Sequence, residues 1–409
     1  MIMNNEQKNM LKEILDRLAE NLDITDTEYN EILHSYEAVG KHLSKAGCIL
    51  EKYEVEIKPQ GSFNLGTIIR PIKEGDDLDI DLVCELRAKP ANWTQFDLKN
   101  MVGQRLQESD LYQRLLDEEG RRCWTLKYRS SQQSTKNQYH MDILPCIVAN
   151  NYKEILNEMY SARELTQADY DKASIRITDK KSEGYYTETD ITKWLKSNPF
   201  GYAKWFKLRQ EQGILETRMF GSSIQLPEKR GKKSILQKVV QLLKRHRDIY
   251  YAGDDDKPIS IIITTLAARA YSGEQDIVSA FVNIAKNMRK QIVYRGNRCF
   301  IYNPVNPLEN FADKWVEQNR KQEVFFEWLT KVEKLVEHFN GDTDKIELQQ
   351  QIIESFGREV STKTFSDISN KMKVQIKTGT IGVGTTGIIS ASGKEKIQKH
   401  NFYGNENEE

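Results

Sequence analysis

Residues 78–86 read LDIDLVCEL, and their regular alternation constrains the fold more than any other stretch of the chain. Apolar side chains occupy the even positions, and Asp79 and Asp81 lie between them. Because a β-strand sends successive side chains to opposite faces, the even residues can enter a core while both carboxylates lie on the other face. Two like charges this close are costly unless a cation lies between them. The alternation therefore predicts a strand that presents a cation site.

A Gly-Ser turn precedes this strand. Gly61 and Ser62 begin the segment GSFNLGT. A glycine lets the backbone approach a phosphate closely, and a neighbouring serine can donate its hydroxyl and its N–H to the phosphate oxygens. A turn of this kind, placed before a pair of strand carboxylates, favours phosphoryl chemistry over the alternative of an edge strand with solvated charges.

A third carboxylate follows in another alternating segment, YHMDILPCIV, at 139–148. Asp142 shares a strand face there with His140, which we interpret as a strand residue beside the site and not as a ligand. Hard divalent cations such as Mg²⁺ bind carboxylate oxygens and keep positions open for substrate phosphates. Three carboxylates can hold two such ions, which bind a triphosphate and steady the leaving pyrophosphate. We therefore predict two Mg²⁺ ions held by Asp79, Asp81 and Asp142.

Composition excludes several other classes of protein. The chain has 409 residues, of which 38% are hydrophobic and 29% charged, as expected for a globular protein of two or three domains. Lys plus Arg and Asp plus Glu both number 60, so no bulk basic field attracts long nucleic acid. No apolar run approaches the length of a membrane span, and the first residues lack a signal-peptide core. The five cysteines are scattered and form no C-x-x-C pair, which favours reduced thiols in a cytoplasm over a zinc site.

Periodicity divides the chain into four parts. Residues 1–150 read as an α/β unit, with helices over 6–20, 97–116 and from Thr25 to Gly47, and strands near 53–57, 78–86, 124–128 and 139–148. Residues 151–231 are polar and mixed, and we interpret them as a connecting or lid region that completes the core. Residues 232–370 are predicted to form a helical lobe, in which 259–271 is a buried helix. Residues 371–409, rich in Gly and Thr and then polar, are predicted to be a flexible tail.

The order of these motifs resembles the DNA polymerase β-like nucleotidyltransferases, whose signature is Gly-Ser, a spacer, and acidic residues alternating with hydrophobic ones. The longer pattern is closer to the bacterial cGAS/DncV-like nucleotidyltransferases (CD-NTases), which make cyclic oligonucleotide second messengers in CBASS antiphage systems. Sixteen residues separate Ser62 from Asp79, a longer spacer than the minimal signature, and Asp77 is an alternative member of the acidic pair. The resemblance covers about residues 25–320. The segments that carry it are PQGSFNLGTIIRPI, DLDIDLV, MDILPCIV, SNPFGYAKWF, LLKRHRDIYY, KPISIIITTLAARA and NPVNPLENFADKW.

The resemblance implies an α+β fold. A polymerase β-like core of mixed sheet and helices would carry a C-terminal helical lobe, with the active site in the cleft between them. Asp79 and Asp81 would ligate both Mg²⁺ ions and Asp142 one of them, and Mn²⁺ could replace Mg²⁺. By similarity, a helix lysine and a serine from the next helix would grip the donor triphosphate. The implied substrate-binding residues are Gln60, Gly61, Ser62, Lys244 and Ser260.

The implied function is synthesis of a cyclic di- or trinucleotide from nucleoside triphosphates, ATP and/or GTP, with release of pyrophosphate. Two alternatives use the same residues. One is a linear nucleotidyltransferase, such as an oligoadenylate synthase or an enzyme that modifies RNA or protein. The other is an inactive nucleotide-binding regulator. The polar end of the chain, KHNFYGNENEE, resembles tails on which CBASS accessory proteins act in this family.

Overall fold

A mixed β-sheet built from residues 56–197 forms the centre of the computed structural model. In the part of the chain that the structure describes, the strands of this sheet are β1 (Glu56–Pro59), β2 (Leu78–Leu86), β3 (Trp124–Tyr128), β4 (Tyr139–Ile147), β5 (Ile175–Ile177) and β6 (Leu195–Ser197). Their order is β1-β2-β4-β5-β6, and β3 pairs with the first half of β4. β2 and β4 are parallel, and the other neighbours are antiparallel. The structure describes residues 5–72, 77–128, 138–212, 233–254, 256–340, 345–378, 382–383, 389–390 and 395–396.

Helices surround this sheet and form a second layer beyond it. The described helices are α1 (Asn5–Leu22), α2 (Asp26–Leu43), α3 (Gly61–Asn64), α4 (Gln95–Gln107), α5 (Asp110–Leu115), α6 (Tyr152–Ser161), α7 (Gln167–Lys172), α8 (Pro199–Gln210), α9 (Ile235–Tyr250), α10 (Ser260–Ala270), α11 (Ile277–Asn287), α12 (Asn319–Asn340), α13 (Lys345–Phe356) and α14 (Arg358–Lys377). Short hairpins follow α11: β7 (Val293–Arg295) with β8 (Arg298–Phe300), and β9 (Tyr302–Asn303) with β10 (Asn306–Asn310). β11 (Gly382–Val383) pairs with β12 (Ile389–Ser390) and β13 (Glu395–Lys396). None of the described helices is long and apolar enough to cross a bilayer.

The two faces of β2 are covered differently, and this difference creates the site. The even-numbered side chains pack into a core with α2 and α4. On the opposite face, Val83 joins Leu144 and Cys146 of β4 in the second core, which α6, α8 and α9 also line. The amino-terminal halves of β2 and β4 lie outside that cover, and there Asp79 is exposed. The acidic residues thus occupy the uncovered part of an otherwise buried sheet.

The helical lobe is built around α9. Apolar side chains of α9, among them Leu236, Val239 and Leu243, are fully buried. α9 contacts α10, α11, α12 and α13, and α1 packs against α9, α11 and α14. The first helix of the chain is therefore part of the helical lobe, although we had predicted it in the core with residues 1–150.

Most predicted elements are confirmed, including the strands at 78–86 and 124–128 and the buried helix at 259–271. The differences between prediction and structure lie at the ends of helices and strands. α2 stops at Leu43 and not at Gly47, and Ser44, the residue that follows the helix, donates both its hydroxyl (2.8 Å) and its N–H (3.0 Å) to the carbonyl of Gly40. The predicted helix over 97–116 is two helices, since Ser109 caps a new one. The strand near 53–57 begins only at Glu56, after a left-handed residue at 54.

The α+β class is confirmed, and the domain boundaries are refined. β5 and β6, from the predicted connecting region 151–231, extend the central sheet. The helical lobe does not stop at residue 370, because α14 continues to Lys377. Most of the predicted tail, including the terminal segment KHNFYGNENEE, lies outside the described residues.

Candidate active site

The parallel pairing of β2 and β4 brings the three predicted carboxylates onto one patch of the sheet. Asp81 is directly opposite Asp142 in the register, and Asp79 is opposite His140. All four side chains belong to the uncovered face, since their neighbours in each strand, such as Ile80, are buried. The strand alternation seen in the sequence therefore produces the expected cluster.

Asp79, His140 and Asp142 form the tightest group in this patch. One ligand atom from each lies within 4.8 Å of the others. The Nε2 atom of His140 is 3.1 Å from Oδ1 of Asp79, and this hydrogen bond is the main reason that the pKa of His140 is raised. We had interpreted His140 only as a strand residue beside the site, but its ring lies among the carboxylates.

Asp81 lies deeper, against the Gly-Ser turn. A Cβ atom at Gly61 would come within 2.0 Å of the Oδ2 atom of Asp81, so only glycine leaves room for this carboxylate. Gly61 also has a φ of 59°, in the left-handed region that favours glycine. The N–H of Gln60 donates to the backbone carbonyl of Asp81 (2.9 Å), which ties the turn to β2.

The carboxylates repel one another. Burial, with the charges of Asp79 and Asp142, raises the pKa of Asp81 to about 7. Burial is also the main cause of a raised pKa at Asp142, which is opposed by the Thr125 hydroxyl donating to its Oδ1 atom (2.6 Å). A site in which carboxylates hold their protons so strongly is short of positive charge. Its oxygen ligands match the preference of Mg²⁺ and Mn²⁺, so the residues present fit the predicted metal.

The Gly-Ser turn is the start of the short helix α3. Gln60 precedes it in an extended conformation, and Ser62 is half-buried. The chain then turns back, because the N–H of Thr67 donates to the carbonyl of Ser62 (2.9 Å). The structure thus places Gln60 and Gly61 beside Asp81, with Ser62 next in α3, and their binding of substrate stays a prediction.

Lys244 and Ser260, predicted as a pair, lie in different surroundings. Lys244 is buried, and its Nζ atom donates to the carbonyl of Thr67 (2.9 Å). Burial and the charge of Arg247 lower the pKa of Lys244 to about 8, while Asp79 and Asp81 act in the opposite direction. Ser260 begins α10, and its Oγ atom accepts from Arg247 (2.8 Å). Lys244 therefore belongs to the surroundings of the carboxylates, whereas Ser260 is bonded to Arg247.

Comparisons with known proteins identify similar sequences. The family model of the Second Messenger Oligonucleotide or Dinucleotide Synthetase (SMODS) domain matches residues 10–160. A c-di-GMP synthase of Roseivirga ehrenbergii is 28% identical over 417 aligned residues, which cover 99% of this chain and 100% of that protein. Residues 10–160 thus match a second-messenger synthetase domain, and the whole chain is similar in sequence to a c-di-GMP synthase.

Solved structures show the same fold as this chain. The CD-NTase CdnG of Bradyrhizobium diazoefficiens, in complex with GTP, superposes with a TM-score of 0.63 at 20% identity over 88% of this chain and 99% of that one. E. coli CdnC, in complex with a HORMA protein, gives a TM-score of 0.56 at 13% identity over 84% and 96%. At this identity the likeness concerns the fold.

Sequence reasoning missed several residues around the site. Thr125 was not expected, although its place in β3 opposite Asp142 follows from the strand register. Two glutamines of α9, Gln237 and Gln241, were also missed. Their signal in the sequence is a polar stripe, with a spacing of three to four residues, on a helix that is otherwise buried. A polar residue on a buried face usually has a bonding partner.

Proposed function

We propose that this protein condenses nucleoside triphosphates into a cyclic dinucleotide, with GTP as the first substrate to test. One observation carries the proposal: three strand-borne carboxylates face a Gly-Ser turn in the uncovered part of the sheet. The full-length similarity to a c-di-GMP synthase and the SMODS match favour cyclic products. The proposed substrates are therefore GTP and ATP.

Each residue has a proposed role in the reaction. Asp79 and Asp81 would hold both metal ions, and Asp142 would hold the one on the acceptor side. Gly61 and Ser62, with Gln60, would seat the donor phosphates. Lys244 has three N–H groups, of which one bonds Thr67, so it can offer the others to a phosphate oxygen. Ser260, beside Arg247, would contact the same triphosphate.

The chemistry is a phosphoryl transfer performed twice. A sugar hydroxyl oxygen attacks the α-phosphorus of the donor, a new P–O bond forms, and the bond to pyrophosphate breaks as the hydroxyl proton is lost. Repeating the step within the linear intermediate closes the ring and releases a second pyrophosphate. Bound Mg²⁺ supplies the charge that lowers the pKa of the hydroxyl and stabilises the leaving group. The residues of the chain align the reactants and position the carboxylates to bind the metal ion.

The biological setting proposed for this enzyme is antiphage signalling of the CBASS type. The similarity to CdnG of B. diazoefficiens, a cyclic dinucleotide synthase that is 23% identical over 406 aligned residues, supports it. Five free cysteines and nucleoside triphosphate substrates favour a cytoplasmic enzyme. Accessory proteins acting on the C-terminal tail remain part of the same prediction.

The test is product analysis with purified protein, GTP, ATP and Mg²⁺ or Mn²⁺. We expect pyrophosphate release and a phosphatase-resistant cyclic dinucleotide by mass spectrometry. The double variant Asp79→Asn/Asp81→Asn should lose about 10³-fold or more of the rate, since metal ligation contributes several kcal/mol to the transition state. Asp77→Asn, which alters the neighbouring carboxylate of the same run, should retain far more activity.

Three outcomes would contradict the proposal. Phosphatase-sensitive products, or labelled RNA or protein, would favour the linear transferase. GTP binding without pyrophosphate under either metal would favour the inactive regulator. A double variant as active as wild type would remove the carboxylates from the mechanism.

A further inference from the structure

A row of side-chain donors from the helical lobe holds the chain segment that follows the Gly-Ser turn. Each donor lies on α9 or just before it, and each bonds a backbone carbonyl between Leu65 and Arg70. Such a row joins the two lobes at the site itself. The pairs are Lys233 Nζ with Gly66 (2.7 Å), Gln237 Nε2 with Leu65 (2.9 Å), Gln241 Nε2 with Ile68 (2.7 Å), Lys244 Nζ with Thr67 (2.9 Å) and Arg245 Nη2 with Arg70 (2.6 Å).

Gln241 is the most informative member of the row. Its side chain is fully buried, and its amide nitrogen donates to Ile68 with a longer second contact to Asp23 (3.4 Å). Its Oε1 atom has no hydrogen-bond partner among the described residues. A buried amide with an unpaired oxygen costs stability, and an apolar residue would avoid that cost. The N–H bond that Gln241 donates to Ile68 therefore explains why a glutamine, and not an apolar residue, occupies position 241.

Gln237 holds the same segment closely. Its Oε1 atom accepts from the N–H of Ser234 (2.9 Å), which fixes the side chain at the start of α9. Its Nε2 atom lies so near the segment that a Cβ at Gly66 would come within 2.5 Å of it. Gly66 also has a φ of 65°, so a glycine is required there on both grounds.

The held segment connects directly to the phosphate-binding turn. The N–H of Leu65 donates to Gly61 (3.1 Å), and the N–H of Thr67 donates to Ser62 (2.9 Å). A shift of the segment would therefore move the turn relative to Asp81, against which Gly61 is packed.

We propose that Gln241 and Gln237 are positioning residues that set the distance between the Gly-Ser turn and the metal-binding carboxylates. They contact neither substrate nor metal and act through the backbone of residues 65–68. The inference rests on the proposed function, because it assigns the turn to the donor phosphates. Its specific claim is that the helical lobe determines the affinity for the donor nucleotide.

The test compares Gln241→Met with Leu242→Met in the full chain. Methionine at 241 keeps the volume but removes the donor, whereas Leu242 is equally buried and makes a matched control. We expect Gln241→Met to raise the KM for GTP about tenfold, the effect of one well-placed hydrogen bond, with a smaller change in kcat. Leu242→Met should leave KM unchanged.

A binding measurement separates this inference from the proposed function. The GTP affinity of each variant is measured by calorimetry in an Asp79→Asn background, where turnover is blocked. If wild type releases no pyrophosphate, the proposed function fails, while the affinity still decides whether Gln241 positions the turn. An unchanged affinity in Gln241→Met, or an equal loss in Leu242→Met, overturns the inference. Should Gln241→Met not fold, Gln237→Met is measured in the same way, with the same outcomes.

Discussion

The two ends of β2 carry acidic residues in contrasting surroundings. At one end Asp81 faces Asp79 and Asp142, and at the other end Glu85 pairs with Lys58. The pKa is raised to about 7 at both Asp81 and Glu85, mainly by burial. At Glu85 the lysine opposes this rise, whereas at Asp81 the neighbouring carboxylates add to it. One end therefore has a lysine bonded to its carboxylate, whereas at the other end three carboxylates lie together, with His140 and Lys244 acting against the rise in the pKa of Asp81.

This difference separates the parts of the strand that serve the fold from those that serve the chemistry. Lys58 comes from β1 directly alongside β2, and its Nζ atom also lies 5.7 Å from the ring centroid of Tyr152. The Lys58–Glu85 pair is enclosed by the second core. The acidic patch at the opposite end is partly open to solvent, which is where a metal and a triphosphate can enter.

The first prediction concerns the end of β2 at which Glu85 is paired with Lys58. Lys58→Met would leave Glu85 buried without its partner, and at pH 8 this should lower the free energy of unfolding by about 3 kcal/mol or more. The loss should be smaller at pH 6, because a Glu85 whose pKa is raised becomes protonated and no longer needs the lysine. Urea unfolding at both pH values measures it.

The control for this variant is the double change Lys58→Met/Glu85→Leu, which removes both charges and should recover most of the stability. The pyrophosphate rate per folded molecule should remain near wild type in both variants. An equal loss of stability at pH 6 and pH 8 would contradict a charged Glu85 as the cause.

The second prediction concerns the contact between the Gly-Ser turn and the open end. Gly61→Ala would place a methyl group against Asp81 and strain a left-handed residue, so we expect the rate to fall about 10- to 100-fold. Gly47→Ala is the matched control, since Gly47 has a φ of 78° with no atom within 4 Å of the added carbon. It should reduce stability only. Equal activity losses in both variants would show that strain alone, and not the contact with Asp81, is responsible.

The third prediction uses the pH dependence of metal binding to compare the two ends of β2. A carboxyl whose pKa is raised by folding stabilises the metal-free protein at low pH, and this stabilisation is lost as the pH rises through about 7. Mg²⁺ must displace that proton, so its affinity should rise about tenfold from pH 6 to pH 8. Calorimetric titration with Mg²⁺ at the two pH values measures the change.

The Glu85→Gln variant should keep the pH dependence of the Mg²⁺ affinity, and the Asp81→Asn variant should reduce it. If Glu85→Gln abolishes the dependence instead, the relevant titration belongs to the paired end of the strand. These two variants alter the same chemical group on the same strand, so they isolate the effect of the surroundings.

Strand alternation was enough to predict the carboxylate patch, because the period of two assigns each residue to a face without knowledge of neighbouring elements. Asp142 could be added since its own strand alternates in the same way. The interpretation of His140 was incomplete for a related reason. Its face followed from parity, but its 3.1 Å contact with Asp79 depends on the parallel pairing of β2 with β4, which alternation does not specify.

The contribution of α9 could not be predicted from helical periodicity. The period identifies which residues share a face, but not which segment lies opposite them. The bond from Lys244 to Thr67 and those from Gln237 and Gln241 join residues more than 170 positions apart. The packing of α1 against α9, α11 and α14 could not be predicted for the same reason, since an amphipathic helix does not reveal its partner.

The position of α1 has a consequence for how the protein is made. The apolar side of this helix is covered by α9, α11 and α14, which are synthesised after the whole central sheet. While the ribosome is still translating the lobe, Leu11, Leu15 and Leu18 have no permanent partner. Domains generally fold as they emerge, so the sheet can form early while the first helix waits for the last ones. The nascent chain therefore carries an exposed hydrophobic helix, a natural binding site for chaperones, until synthesis reaches α14.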